Sequence, residues 1–249
     1  MAIKTILVSQ PKPEGNKSPY FDLAERHGLK IDFRSFIQVD GIDAQEFRSQ
    51  KVDVKEHTAI ILTSKTAVDH FFRIAGELRF EVPDTMKYFC ISEAVAYYLQ
   101  KYVTYRKRKI FFGKQTIEDL VEILKKHKKE KFLLPCTDIL RDKIPETLIT
   151  SDIDFSKAVL FRTVASDLSD LEDVYYDMLV FYSPGGIESL LKNFPDFKQN
   201  KTFIAAFGPT TANAIVKNNL RLDLHAPQTN APSMTGAIEL FVKEQGKKK

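Results

Sequence analysis

The stretch ILTSKTAVDHFF, residues 61–72, decides the fold, because the chain writes it a second time as VFYSPGGIESLL, residues 180–191. Each copy runs from an apolar, strand-like segment into a serine and then into the spacing of a helix. Ser64 and Ser183 stand 119 positions apart. A second pair follows in the same order. YFCISEAVAYYL (88–99) matches AAFGPTTANAIV (205–216), and Ser92 faces Gly208 at an offset of 116. Two offsets that nearly agree mean that the motifs keep order and spacing, as in a duplicated α/β half whose identity has drifted.

Outward from these corners, apolar runs alternate with helical spacing over almost the whole chain. TILVS (5–9), LKIDF (29–33), TAIILT (58–63), YFCI (88–91), KIFF (109–112), FLLP (132–135), KAVLF (157–161), DMLVFYS (177–183), TFIAAF (202–207) and RLDLHA (221–226) read as strands. Helices are expected around 21–27, after 64, 92, 116, 183 and 208, near 138–149 and over about 232–244. Each helical segment carries one apolar stripe, such as Val68, Phe71, Phe72 and Ala75, or Ile117, Leu120, Val121 and Leu124. The strands are continuous apolar runs, which is what burial on both faces requires. Strand and helix in alternation imply parallel-sheet α/β. About ten strands exceed one small sheet, so two doubly wound domains are expected.

The bulk properties agree. The chain has 249 residues, 43% hydrophobic and 28% charged, ordinary for a globular protein. Its formal charge of +4 is too weak to argue for nucleic acid and suits a small polyanion equally well. The basic runs YRKRK (105–109) and KKHKKEK (125–131) read as solvated faces. The two cysteines, Cys90 and Cys136, lie in apolar runs without ligand spacing and read as reduced core thiols. The five histidines show no HxxxH or HExxH spacing, so no metal is expected. The N-terminus lacks a signal-peptide pattern and no run approaches the length of a membrane span. The expectation is a cytoplasmic monomer.

A strand that ends at Ser-Pro-Gly-Gly and opens into a helix leaves backbone N–H groups at the positive end of the helix dipole, where an anion is stabilised. Gly185 and Gly186 permit close approach to the backbone, and Gly208-Pro209-Thr210-Thr211 forms a similar concavity. Ser64 and Ser183 also suit plain helix capping, and the spacing does not separate the two readings. No GxGxxG, GxxxxGK[ST] or GxSxG is present, which removes support for a dinucleotide, P-loop or α/β-hydrolase site.

The ordered set ILVSQP, ILTSKTAV, FLLPCTD with a following IP, LFRTV (160–164), LVFYSPGGIESL and AFGPTTANAI resembles the uroporphyrinogen-III synthase family of the tetrapyrrole pathway. The resemblance covers nearly the whole chain and rests on the set, not on any one motif. It implies two flavodoxin-like domains joined by a two-strand hinge: residues 1–36 plus 165–249, and an inserted domain over 37–164. It implies cyclisation of the linear hydroxymethylbilane to uroporphyrinogen III, with inversion of ring D, loss of water and no cofactor. The substrate, with eight carboxylates, would lie in a cleft between the domains, and catalysis would be chiefly by positioning. Thr63, Ser64, Ser92 and Arg141 would line one side. Ser183, Pro184, Gly185, Gly186, Gly208, Pro209, Thr210 and Thr211 would line the other, with Thr211 bonding a carboxylate or the departing hydroxyl.

Three positions depart from the family pattern. Gln10 stands where an Arg is frequent. Ser92-Glu93-Ala94-Val95 replaces Gly-x-x-Thr. Phe161 replaces a Tyr held to assist hydroxyl loss, which leaves Tyr182, water or no acid at all for that step. Two other readings stay open on the residues alone: a non-catalytic two-domain binder of a tetrapyrrole or other small polyanion, and a nucleic-acid-binding regulator that uses the basic runs.

Overall fold

A computed structural model describes residues 3–15, 17–138 and 143–247. The chain runs through β1 (Thr5–Val8), α1 (Pro19–His27), β2 (Lys30–Phe33), β3 (Ile37–Gly41), α2 (Ala44–Ser49), β4 (Ala59–Leu62) and α3 (Lys65–Glu77). It continues through β5 (Lys87–Cys90), α4 (Glu93–Leu99), β6 (Ile110–Phe112), α5 (Ile117–Lys126), β7 (Phe132–Thr137), α6 (Lys143–Thr150) and β8 (Phe155–Ala165). The last third holds β9 (Met178–Phe181), α7 (Pro184–Asn193), β10 (Phe203–Phe207), α8 (Pro209–Lys217), β11 (Leu224–Ala226) and α9 (Met234–Lys247). Contacts divide it into two compact units, residues 1–38 with 164–249 and residues 39–163, called units 1 and 2 below.

The sheet of unit 1 has the order β11-β10-β9-β1-β2, and all its pairings are parallel. Counted in the unit's own chain order this is 2-1-3-4-5, the flavodoxin arrangement. The second sheet has the order β3-β8-β7-β4-β5-β6, with β8, β7, β4, β5 and β6 parallel. Placing β4 opposite β9 and β5 opposite β10, as the repeat demands, also puts β6 opposite β11, β7 opposite β1 and β8 opposite β2. The two orders then coincide. The units share one spatial arrangement and differ in where the chain enters it.

Each sheet is covered on both faces, and the alternation of side chains along a strand sorts the cores. In unit 1, Ile6, Val8, Met178, Val180 and Leu224 pack with Leu23 of α1 and Met234 and Ile238 of α9. Leu7, Leu179, Phe181, Ile204 and Ala206 pack on the other face with Ile187 and Leu190 of α7 and Ala212 and Ile215 of α8. In unit 2, Ile60, Leu62 and Tyr88 meet Val68, Phe71 and Ile74 of α3 and Leu99 of α4. Ala59, Ile61, Phe89 and Leu134 meet Leu120 and Leu124 of α5 and Leu148 of α6. Each fully buried Leu, Ile or Phe contributes about 1.5–3 kcal/mol. Cys90 and Cys136 are free and buried, and burial pushes their thiols up to about 12 and about 11.

The sequence pattern and the structure differ at four elements. Strand β3 overlaps one of the two connecting strands that the family resemblance implies, but periodicity alone does not mark it, since its IQVDG run is mostly exposed and carries no apolar alternation. Helix α2 has only six residues and is held by Asp43, whose Oδ1 accepts from the Glu46 N–H at 2.7 Å. Strand β11 starts three residues later than the run at 221 suggests. Arg221 N–H donates to Gln199 Oε1 at 2.7 Å, and Asp223 Oδ2 accepts from Ile204 N–H at 2.9 Å, so side chains take part in the pairing here, while the Asp223 N–H donates to the Ile204 carbonyl at 2.9 Å. The helix expected near 138–149 is α6, and residues 139–142 lie outside the described residues.

Candidate functional site

Parallel strands put the loops that follow them on one edge of a sheet, and ligands of open α/β sheets bind at that edge, where the strand order reverses. In unit 1 the reversal lies between β1 and β9, so Ser9-Gln10 and Tyr182-Ser183 flank it. In unit 2 it lies between β4 and β7, flanked by Thr63-Ser64 and Thr137-Asp138. The corners at Ser92 and at Gly208 stand one strand further out.

The four corners are not equivalent. Ser64 Oγ accepts from the Ala67 N–H at 3.0 Å, and Ser92 Oγ accepts from the Val95 N–H at 3.4 Å. Both serines of unit 2 therefore cap their own helices, as the plain reading had it. In unit 1, Ser183 is the N-cap of α7 and Gly208 that of α8, and neither supplies a side-chain cap bond. The Gly186 N–H turns back to the Ser183 carbonyl oxygen at 3.2 Å. Pro184 and Pro209 open the two helices at positions where an N–H would have no helical partner.

The glycines explain how these corners are built. A Cβ on Gly186 would come within 3.2 Å of the Phe181 ring and 3.5 Å of Ser9 Oγ, so the bare backbone lets α7 start tight against the β1 loop. Gly208 sits at φ 83°, ψ 153°, a region that only glycine enters readily, and its N–H donates to the Ala226 carbonyl at 2.7 Å. Pro209 and Thr210 are exposed beside it, whereas Thr211 retains 1% exposure and faces inward under α8. Ser183, Pro184 and Gly185 are half-buried.

Tyr182 follows β9, with its ring stacked on Phe207 at 5.5 Å and its hydroxyl 2.5 Å from that of Tyr20. Burial raises the pKa of both phenols above the ordinary value, for Tyr20 with a further push from Tyr182. Both are protonated at neutral pH. Phe161, in β8, stacks on His70 of α3 with ring centroids 5.0 Å apart. Gln10 is exposed. Arg141 lies outside the described residues. Lys143 pairs with Glu118 at 3.0 Å on the surface.

Tyr20 and His70 escaped the sequence reading. Tyr20 follows Ser18-Pro19 and looks like one more apolar helix residue. His70 belongs to a stripe of Thr66, His70, Arg73 and Glu77 along α3, a polar line at helical spacing that was legible beside the apolar one. Among the described residues, no group of three or more His, Cys, Asp and Glu could hold a metal ion. Among the described residues, no helix is long and apolar enough to cross a membrane.

Comparison with known proteins gives one consistent result. The family model described as Uroporphyrinogen-III synthase HemD matches residues 18–236. A curated uroporphyrinogen-III synthase of Saccharomyces cerevisiae is 26% identical over 139 residues, 50% of this chain and 50% of that protein. The chain is thus matched over about half the length of that relative. The crystal structure of uroporphyrinogen-III synthetase from Helicobacter pylori 26695 superposes with a TM-score of 0.58 at 18% identity, covering 97% of this chain and 100% of that one, a likeness of fold.

Proposed function

Because the chain belongs to the Uroporphyrinogen-III synthase HemD family, we propose that it cyclises linear hydroxymethylbilane to uroporphyrinogen III, as a cyclising hydro-lyase that inverts ring D and releases water. The observation that carries this reading is the reach of the family match, which spans residues 18–236 and takes in both copies of the strand–Ser–helix corner. The chemistry asks little of acid–base groups. The pyrrole nitrogen of ring A pushes out the hydroxyl, and the substituted carbon of ring D attacks the resulting azafulvene. The spiro intermediate then fragments and recloses. The protein's task is to hold the flexible polyanion curled so that this closure outruns the spontaneous one to the type I isomer.

The geometry supports an assignment of roles. The uncapped starts of α7 and α8 offer N–H groups and helix dipoles to substrate carboxylates, with Ser183, Gly185, Gly186, Gly208 and Thr210 around them. Each charge-assisted bond of this kind contributes about 1.5–3 kcal/mol. In unit 2, Thr63, Ser64 and Ser92 present a second edge whose serines are already engaged as caps. Tyr182, protonated and hydrogen-bonded to Tyr20, is the donor assigned to the leaving hydroxyl. Thr211, inward-facing in α8, keeps the role that the resemblance gives it, a bond to a substrate carboxylate or the departing hydroxyl. Cytoplasmic location and a monomeric state complete the proposal, and light scattering tests the second.

The test is an isomer assay. Freshly made hydroxymethylbilane is supplied, the products are oxidised, and type I and type III isomers are separated. Type III above the protein-free control is the expected result, and type I alone at the spontaneous rate refutes the activity. In the same assay Thr211→Ala and Tyr182→Phe should each slow formation of type III. Wild-type rates would remove the residue concerned from the mechanism.

A further inference from the structure

Helix α3 carries the polar stripe Thr66, His70, Arg73 and Glu77 beside its buried residues Ala67, Val68, Phe71, Ile74 and Ala75. Side chains on a helix lean toward its N-terminus, so the His70 ring leans toward the Ser64 end and the carboxyl edge of the sheet. Its stacking partner fixes the place independently. Phe161 pairs with Thr137, the last residue of β7, and the Phe161 carbonyl accepts from the Asp138 N–H at 3.2 Å. The imidazole therefore sits at the edge where unit 2 presents its loops.

Arg73 determines which way this imidazole is wired. Its Nε donates to His70 Nδ1 at 3.2 Å. One terminal nitrogen donates to the Ile42 carbonyl at 2.7 Å and the Leu160 carbonyl at 3.1 Å, and the other pairs with Glu77. A guanidinium keeps its protons, so Nδ1 is an acceptor and the ring proton sits on Nε2. Nε2 has no hydrogen-bond partner among the described residues, and it is not among the enclosed polar atoms that lack one. Strand β3 makes room for the pair at Gly41, where a Cβ would stand 2.8 Å from Arg73 and 2.9 Å from His70. A glycine, a fully engaged arginine and an aromatic shelf thus converge on one outward N–H.

We propose that His70 Nε2–H is a substrate-contacting donor of unit 2, which hydrogen-bonds an oxygen of the anionic substrate, and that Arg73 is its positioning residue. The proposal rests on the functional reading above and names a contact for that reaction. Burial, then the Arg73 charge, holds the imidazole below the ordinary 6.5, against the opposite pull of Asp69 on α3 and Asp40 on β3. Arg162, next to Phe161 on β8, is paired with Glu46 of α2. The neutral imidazole is accordingly the predominant form at pH 7.

His70→Phe keeps an aromatic ring on Phe161 and deletes the donor, whereas His70→Gln keeps an N–H at similar reach. Binding of uroporphyrinogen III is measured by anaerobic calorimetry, together with the isomer assay and the melting temperature. His70→Phe, which also removes the acceptor of Arg73 Nε, should weaken binding about ten- to a hundredfold while remaining folded at the assay temperature, and His70→Gln should stay within about threefold of wild type. Arg73→Gln removes the Arg73 charge but not the burial, so any limb in which binding tightens as pH falls should lie at higher pH in this variant than in wild type. Wild-type binding and turnover in His70→Phe would overturn the proposal. Equal losses in His70→Phe and His70→Gln, or a limb at the same pH in Arg73→Gln and wild type, would overturn it as well. If the wild-type protein neither forms type III nor binds uroporphyrinogen, the functional reading itself has failed and the contact falls with it.

Discussion

Gly208 shows what one residue settles. Its φ of 83° with ψ 153° lets the chain leave β10, bond Ala226 and enter α8 without a side-chain cap. Nothing lies within 4 Å of a Cβ placed there, so the objection to any other residue is backbone strain and not crowding. Gly208→Ala should therefore lose about 1–3 kcal/mol in urea denaturation. Gly185→Ala, whose Cβ would meet Ile37 at an ordinary 3.4 Å, should fold like wild type. The Tyr20–Tyr182 pair gives a residue-scale pH effect. In the folded protein burial holds both phenols above the ordinary 10.0, while the unfolded chain releases those protons from about pH 10. The unfolded state then binds fewer protons, so stability declines as pH rises past about 10. Denaturation series between pH 8 and 11 should show this slope in wild type and a shallower one in Tyr20→Phe.

At the scale of elements, the four strand–helix corners read alike in the sequence and divide in the structure. Ser64→Ala removes an N-cap bond and should cost about 1 kcal/mol. Ser183→Ala removes none and should stay within about 0.5 kcal/mol of wild type in stability, yet weaken the binding of uroporphyrinogen III. Comparing melts and titrations of the two variants separates capping from ligand contact. Serine before a helix is a cap or a ligand group depending on where its Oγ turns, and a string of letters carries no torsion angle. Strand β3 and helix α2 were illegible in the periodicity for another reason. Their residues are mostly exposed, and only burial imposes an apolar period. The apolar stripes of α3, α5, α7 and α8 were legible because each faces a sheet.

For the whole molecule, the coincidence of the two strand orders makes residues 39–163 a complete doubly wound unit. It has its own two core faces and the chain enters and leaves it once. A fragment of those residues should fold cooperatively, with dispersed amide resonances and a single thermal transition. A fragment of 164–249 alone should not, because it lacks β1 and β2 and with them one flank of its strand-order reversal. A molten fragment 39–163 would mean that the inserted unit depends on contacts beyond its own cores.

The sequence by itself determined the α/β class, the duplicated corner, the places of most strands and the family resemblance. These follow from local periodicity and from residues whose order along the chain is their meaning. Only the tertiary structure decided which serines cap and which stand free, that Thr211 turns inward while Thr210 stays exposed, that Tyr20 meets Tyr182, and that Arg73 wires His70 beside Phe161. Tyr20 and Tyr182 are 162 positions apart, and Phe161 is 91 from His70. Such pairs form when a helix packs against a strand distant in the chain, and no short-range pattern encodes them.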